Sequence, residues 1–353
     1  MSDWELKTAA RAVAEYMCNI RKGENVVVYA DTAIEESVAE SIAEAAHVAG
    51  GEVILIRYRT RSQVDMEPPS PLAAALQSAD VIIELAAMFL IHTRALSSAL
   101  DRGARYACLT GVTSDIMKRC IRDTEFYSKV IELGEAIAEM LRKAKKLHIT
   151  TGLGTALTCD IQGRPIDHAS KRIFGPKEQS YLGGQVSWYP RPESLNGTLV
   201  ITGSIWPPDE LGLIRNPIRL AIQEGRVVGV TGGAEAEVLK RWFSRYTNAN
   251  IYNLAHISYG LNPGARLTGN ILEDERVFGC IEVGIGAQPP HLGIFDIDRE
   301  RDVDGHTDAI ILNPTVELDG EVIERDGRFV HPKVVALIQS FWPAAGELQE
   351  MGP

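Results

Sequence analysis

A chain of 353 residues is long for one hydrophobic core, and domains of roughly 100–200 residues are usual, so two are expected. With 45% hydrophobic and 24% charged residues, it has the make-up of a globular protein and enough apolar surface to fold without disulfides. The net charge of −11 is spread over interleaved acids and bases, which leaves no basic patch and argues against nucleic acid as a partner.

The amino terminus, MSDWELKTAARAVAEYM, carries charges throughout an amphipathic pattern, unlike a secretion signal. Trp4 to Arg21 reads as a helix that stops near Lys22 and Gly23. A β-branched run, Glu24–Asp31, comes next as a strand and ends on Asp31 and Thr32, two good helix N-caps. Ile34 to Ala49 is helical and closes on Gly50 and Gly51, a C-cap signal. The run GEVILIRY is a second strand. Pro68–Pro71 breaks the chain before Leu72–Ser78, ADVIIELAA makes a third strand, Ala104–Leu109 a fourth, and Glu125–Ala144 a long helix. The apolar run from Val81 to Ile91 contains Glu84 and is too short to span a bilayer, so no membrane association is expected. Strands of the buried type alternating with helices predict a parallel α/β layer. The residues after the first strand, TAIEES, lack G-x-G-x-x-G, so a dinucleotide site is disfavoured.

From about Lys146 the pattern changes to short alternating runs punctuated by Gly, Asn and Asp, with one helix at Ala234–Tyr246. This is antiparallel β patterning. The expected organisation is an α/β domain with a parallel sheet over residues 1–145, then an α+β, largely antiparallel metal-binding domain over 146–353. The five cysteines are widely spaced with no C-x-x-C pair, which argues against a disulfide framework or thiolate zinc site. A cytoplasmic protein is expected.

Among the eight histidines, His306 is the sharpest feature, because Thr307 separates it from Asp308. In an extended strand residues i and i+2 share a face, so imidazole and carboxylate converge; a surface turn with a capping Asp is the alternative. His256 lies in YNLAHISYGLNP among apolar and small residues, where a lone histidine would be a core residue. Together, two histidines and a carboxylate form the set of non-heme Fe(II) oxygenases, and zinc hydrolases use a similar one. Glu235 and Glu237 come after a Gly-Gly turn. They either favour a helix N-terminus or serve as supporting or additional metal ligands. Glu282, inside the apolar run GCIEVGIG, would be costly to bury alone; it either faces solvent at an edge or has such a metal role. His92 ends the run AAMFLIHT, where α/β sheets place their ligand crevice, and its near-neutral pKa suits acid–base work.

The combination GGAEAEVL, AHISYGLNP, GHTDAIILN and VELDG resembles the 2,5-dihydroxypyridine 5,6-dioxygenases, ring-cleaving iron enzymes related to the thermophilic leucyl aminopeptidases. The resemblance runs over most of the chain and is strongest over about residues 197–310. It implies Fe(II) held by His256, His306 and Asp308, His92 as the acid–base residue, a small aromatic substrate with O₂, and a homo-oligomer. The aminopeptidases hold two metals with extra glutamates; here a histidine, His256, stands at one glutamate position, and Glu282 falls near an additional ligand histidine. EQSYLGGQVSWYP departs from the dioxygenase pattern, with Ser180 and Tyr181 in place of a His–Trp pairing. Ser180, Tyr181, Trp188 and Tyr259 are the expected substrate-binding residues, although such aromatics can equally be core. The expected reaction is extradiol-type cleavage of a dihydroxypyridine or similar ring, the alternative a metal-dependent aminopeptidase.

Overall fold

A computed structural model describes residues 3–91, 93–168, 171–287, 303 and 305–342. The chain divides into two units, Met1–Ile131 with Ala169–Gly183, and Glu132–His168 with Gly184–Pro353. The single boundary expected near residue 146 is therefore replaced by a chain that leaves the first unit, returns to it at 169 and leaves again. The return has a physical cause: the short segment Gln179–Tyr181 completes the parallel sheet.

The first unit is built on β1 (Asn25–Asp31), β2 (Glu52–Tyr58), β3 (Val81–Glu84), β4 (Arg105–Cys108) and β8 (Gln179–Tyr181), in the order β2-β1-β3-β4-β8. Every pairing is parallel, as the buried apolar strands require. Helix α1 (Trp4–Arg11) precedes the first strand, α2 (Glu36–Val48), α3 (Ser70–Leu76) and α4 (Arg94–Asp101) connect β1 to β4 in turn, and α5 (Ser114–Ile116) follows β4. Asp3 and Thr93 cap α1 and α4, accepting the backbone N–H groups of Leu6 and Leu96. The helix expected from Trp4 to Arg21 is α-helical only to Arg11. It continues as a π turn over Ala12–Met17, where the Cys18 N–H reaches back five residues to the Val13 carbonyl at 2.8 Å.

The second unit contains α6 (Thr124–Lys143) from Glu132 onward, then β5 (Lys146–Thr150), β6 (Ala156–Asp160), β7 (Ile166–Asp167), β9 (Gln185–Trp188), β10 (Asn196–Ile201), β11 (Ser204–Trp206), β12 (Gly212–Leu213), β13 (Ile218–Gln223) and β14 (Arg226–Thr231). Helix α7 (Ala234–Phe243), β15 (Leu254–Gly260), α8 (Ile271–Asp274), β16 (Ile281–Gly286), β17 (His306–Ile311), β18 (Thr315–Leu318), β19 (Glu321–Arg325), β20 (Arg328–Phe329) and α9 (Pro332–Phe341) complete it. The strands form two antiparallel sheets, ordered β14-β13-β10-β6-β5-β18-β19-β20 and β12-β11-β17-β16-β15-β9-β7. Tight hairpins at Glu224-Gly225, Asp319-Gly320 and Asp326-Gly327 have positive φ at both central residues, the mirror-image turn that matches strand twist.

One core joins the sheets, with Leu147, Leu157, Leu199 and Leu220 from the first and Val186, Ile257, Ile281 and Val283 from the second. In β13 burial alternates strictly, so the eight-stranded sheet turns one face to solvent. By contrast, β15 and β16 are buried at every residue. The seven-stranded sheet is thus covered on its second face too, and that face carries polar side chains. Among the described residues no helix is long and apolar enough to cross a membrane.

Candidate metal centre

Antiparallel register brings the predicted ligands together across three strands. His256 on β15 pairs with Gly284 on β16, which pairs with Asp308 on β17; His306 pairs with Gly286. Paired residues share a face, so His256, His306 and Asp308 all project from the polar face. Their ligand atoms lie within 4.8 Å of one another. His306 Nε2 is 2.8 Å from Asp308 Oδ1, and His256 Nε2 is 3.7 Å from the same oxygen. The two imidazoles stack 5.3 Å apart at 14°.

Glycine at 284 makes this possible. A Cβ there would stand 2.3 Å from His256 Cε1, so the imidazole occupies the space a side chain would fill. His306 Nδ1 lies 2.6 Å from the Ala287 carbonyl, which can only accept. That fixes a proton on Nδ1 and makes Nε2, which faces the Asp308 carboxylate, the nitrogen that could bind a metal in place of its own proton.

Glu282 is fully buried one pair along β16, opposite Ser258, and its Oε2 lies 3.1 Å from His256 Nε2. Neither Glu282 oxygen, nor His256 Nδ1, has a well-formed hydrogen bond among the described residues. Buried polar atoms left so are costly. Two imidazoles, one carboxylate beside them and a second, buried carboxyl against His256 fit a divalent cation.

The electrostatics point the same way. Burial opposes charge on His256, yet Glu282 and then Asp308 outweigh it and raise the imidazole to about 9. For Glu282 burial dominates and raises the carboxyl despite the His256 imidazole. Asp308 is also penalised by burial, but His306 and His256 hold it below the usual carboxylate range. His306 is raised, because Asp308 overcomes the burial penalty. Glu275, just beyond α8, is pushed up to about 8 by burial, partly relieved by Arg276 and aggravated by Asp308 and Glu282. Gln185 and Arg276 anchor it, with Gln185 Nε2 and Arg276 Nη1 donating to Glu275 Oε2 at 3.0 and 2.9 Å.

The other predicted residues fall elsewhere. Glu235 accepts from the backbone N–H groups of Arg215 and Asn216 at 2.8 and 3.0 Å, and exposed Glu237 pairs with Lys240 at 2.7 Å. Both carboxylates are therefore engaged locally at the start of α7, which corrects their assignment as metal ligands. Trp188 and Tyr259 project from the opposite face of β9 and β15 into the core, their rings 5.5 Å apart. The Tyr259 phenol faces the buried Glu324 carboxyl there. Their assignment as ring-binding residues is corrected by strand parity: each is an odd number of positions from a residue on the polar face, Trp188 next to Ser187 and Tyr259 next to Ser258. Ser180 and Tyr181 lie on β8 of the first unit, Ser180 fully buried. His92 lies outside the described residues.

Sequence reasoning missed Gly284, Glu275 and Tyr189, whose ring lies 6.1 Å from His256. The G-I-G spacing in GCIEVGIG signalled the first; the other two carried no signal, because each depends on which face its strand or turn presents.

A family profile described as 2,5-dihydroxypyridine 5,6-dioxygenase matches residues 7–331. The chain belongs to this family. A 2,5-dihydroxypyridine 5,6-dioxygenase of Pseudomonas putida KT2440 is 24% identical over 267 residues, 73% of either chain. The solved structure of the 2,5-dihydroxypyridine dioxygenase from that strain shares the fold, with a TM-score of 0.75 at 19% identity over 95% of this chain and 99% of that one. Wild-type AmpT from Thermus thermophilus shares it as well, with a TM-score of 0.68 at 16% identity over 93% and 99%. All three ligand positions lie inside the span that the family profile covers.

Proposed function

We propose that this chain is an Fe(II)-dependent dioxygenase that opens a hydroxylated aromatic ring in extradiol fashion, with a dihydroxypyridine or similar N-heterocycle as substrate. The observation that carries the reading is the convergence of His256, His306 and Asp308 on one strand face in a member of the 2,5-dihydroxypyridine 5,6-dioxygenase family. When bound by two histidines and one carboxylate, such a metal keeps open positions where substrate and O₂ can sit side by side.

The chain's own groups then have defined tasks. The Ala287 carbonyl holds the His306 tautomer, and Gly284 gives His256 its place across β16. Glu282 and Glu275 stand beside the ligands as buried carboxyls whose charged form burial disfavours and a dication would favour. His92 is assigned proton transfer to and from the substrate hydroxyl, on the strength of the resemblance in MFLIHT. Ser180 and Tyr181 are carried as substrate contacts on the same footing.

A metal-dependent aminopeptidase is the second reading, favoured by the fold shared with AmpT and by the extra carboxylates Glu275 and Glu282. The local engagement of Glu235 and Glu237 weighs against it. Oxygen uptake by anaerobically Fe(II)-loaded protein, offered 2,5-dihydroxypyridine and a catechol panel, separates the two. Uptake abolished by His256→Ala and His306→Ala supports the oxygenase. Turnover of leucine p-nitroanilide with Zn²⁺ or Co²⁺, without uptake on any ring, overturns it.

A further inference from the structure

The polar face of the seven-stranded sheet needs an aromatic surface if it is to hold a flat ring, and the two core aromatics cannot provide it. Among the described residues two rings besides the imidazoles lie on that face. Tyr189 beside His256 is 2% exposed and has no face left to offer. Trp206 is different. It ends β11 and pairs with Asp308 in the antiparallel register, while Ile205 before it pairs with Ala309 in the core. Trp206 thus stands beside the carboxylate ligand, on the ligand face, and is only half-buried.

Its position is also fixed. The indole Nε1–H donates to Asp209 Oδ1 at 2.6 Å, which removes the side chain's one polar demand and orients its plane. The next residue is tied to the ligand strand, because the Thr307 hydroxyl donates to the Pro207 carbonyl. A large, rigid, half-exposed π-surface beside a ligand carboxylate loses little entropy on binding and favours planar partners.

We infer that Trp206 is the specificity-determining residue that stacks against the ring of a planar aromatic substrate held at the His256–His306–Asp308 group. This rests on the ring-cleaving reading and adds to it the side from which the ring is held. An extended peptide would gain little from such a surface.

The test uses Fe(II)-loaded protein under anaerobic conditions, with 2,5-dihydroxypyridine as the probe and calorimetric titration as the readout. Trp206→Leu should weaken ring binding about tenfold and raise KM more than it lowers kcat, while Trp206→Phe stays within about threefold. Iron bound per chain should be unchanged in both. In a second measurement the ring quenches tryptophan emission of the wild type, and Trp206→Phe binds the ring but loses most of that quench. This second variant serves if Trp206→Leu does not fold. Wild-type ring affinity in Trp206→Leu, or an unchanged quench in Trp206→Phe, overturns the assignment of Trp206 alone. A wild type that takes up iron but no ring overturns the ring-cleaving reading, and this inference with it.

Discussion

Replacing Gly284 by alanine adds one methyl group to the middle of β16 and should dismantle the metal centre without touching a ligand. The added Cβ would lie 2.3 Å from His256 Cε1, 2.5 Å from Nδ1 and 2.8 Å from Nε2. Carbon atoms rest at roughly 3.5 Å or more, so the imidazole must retreat by about 1 Å. It has little room to do so, with the His306 ring stacked at 5.3 Å and the Tyr189 ring at 6.1 Å. Displacement of about 1 Å costs a positioned group on the order of a hundredfold, and disturbing what orients a ligand typically costs about 10–100-fold in metal affinity. We expect a loss in that range for Fe(II) or Co(II), together with about 1–3 kcal/mol of overpacking. Competition with a chromophoric chelator measures the first effect, and urea unfolding of the metal-free protein the second. Gly229→Ala is the control, since its Cβ would meet only Ala221 Cβ at an ordinary 3.5 Å. Metal affinity in Gly284→Ala within about twofold of wild type would refute the claim that this glycine seats His256.

Three further outcomes are expected. Burial raises the Glu84 carboxyl from 4.5 to about 8, so the folded chain keeps a proton that the unfolded chain has released between those values. Stability should therefore fall as pH rises through that window, by up to about 1.4 kcal/mol per unit, and Glu84→Gln should remove that slope in urea titrations; parallel wild-type and variant slopes would contradict it. Tyr259→Phe removes a buried phenol that faces the Glu324 carboxyl without a well-formed hydrogen bond and should change stability by less than about 1 kcal/mol, with ring and metal affinity untouched; weakened ring binding would return Tyr259 to the substrate site. Glu235→Ala should leave metal stoichiometry and affinity unchanged, because its carboxylate serves Arg215 and Asn216; loss of a bound ion on elemental analysis would revive the two-metal reading.

Period and spacing set the features that were legible in the sequence. The parallel strands β1 to β4 announce themselves as short β-branched or apolar runs between helices, and the doublet around Thr307 predicts a shared face because strands alternate with period two. That inference needs no partner, and it holds in β17. Register, by contrast, could not be read from the chain. Trp188 in EQSYLGGQVSWYP and Tyr259 in AHISYGLNP looked suitable as aromatics that could flank a ring, but a single step along a strand sends a side chain to the other face. Ser187 and Ser258, their neighbours, meet across the polar face at 2.8 Å. The same rule places Trp206 on the ligand face, fifty residues before His256 in the chain, solely through its pairing with Asp308.

The two acidic positions of α7 and the one of β16 show a second limit. All three are carboxylates near glycines, and composition does not separate them. Glu235 has the backbone N–H groups of Arg215 and Asn216, ahead of β13, within reach and accepts from both. Glu282 is fixed in a strand whose backbone hydrogen bonds are already spent on β15 and β17, so its buried carboxyl turns to the His256 imidazole, 3.1 Å away. Composition does not tell that neighbour from the backbone groups that hold Glu235; the pairing of the strands on either side of β16 does.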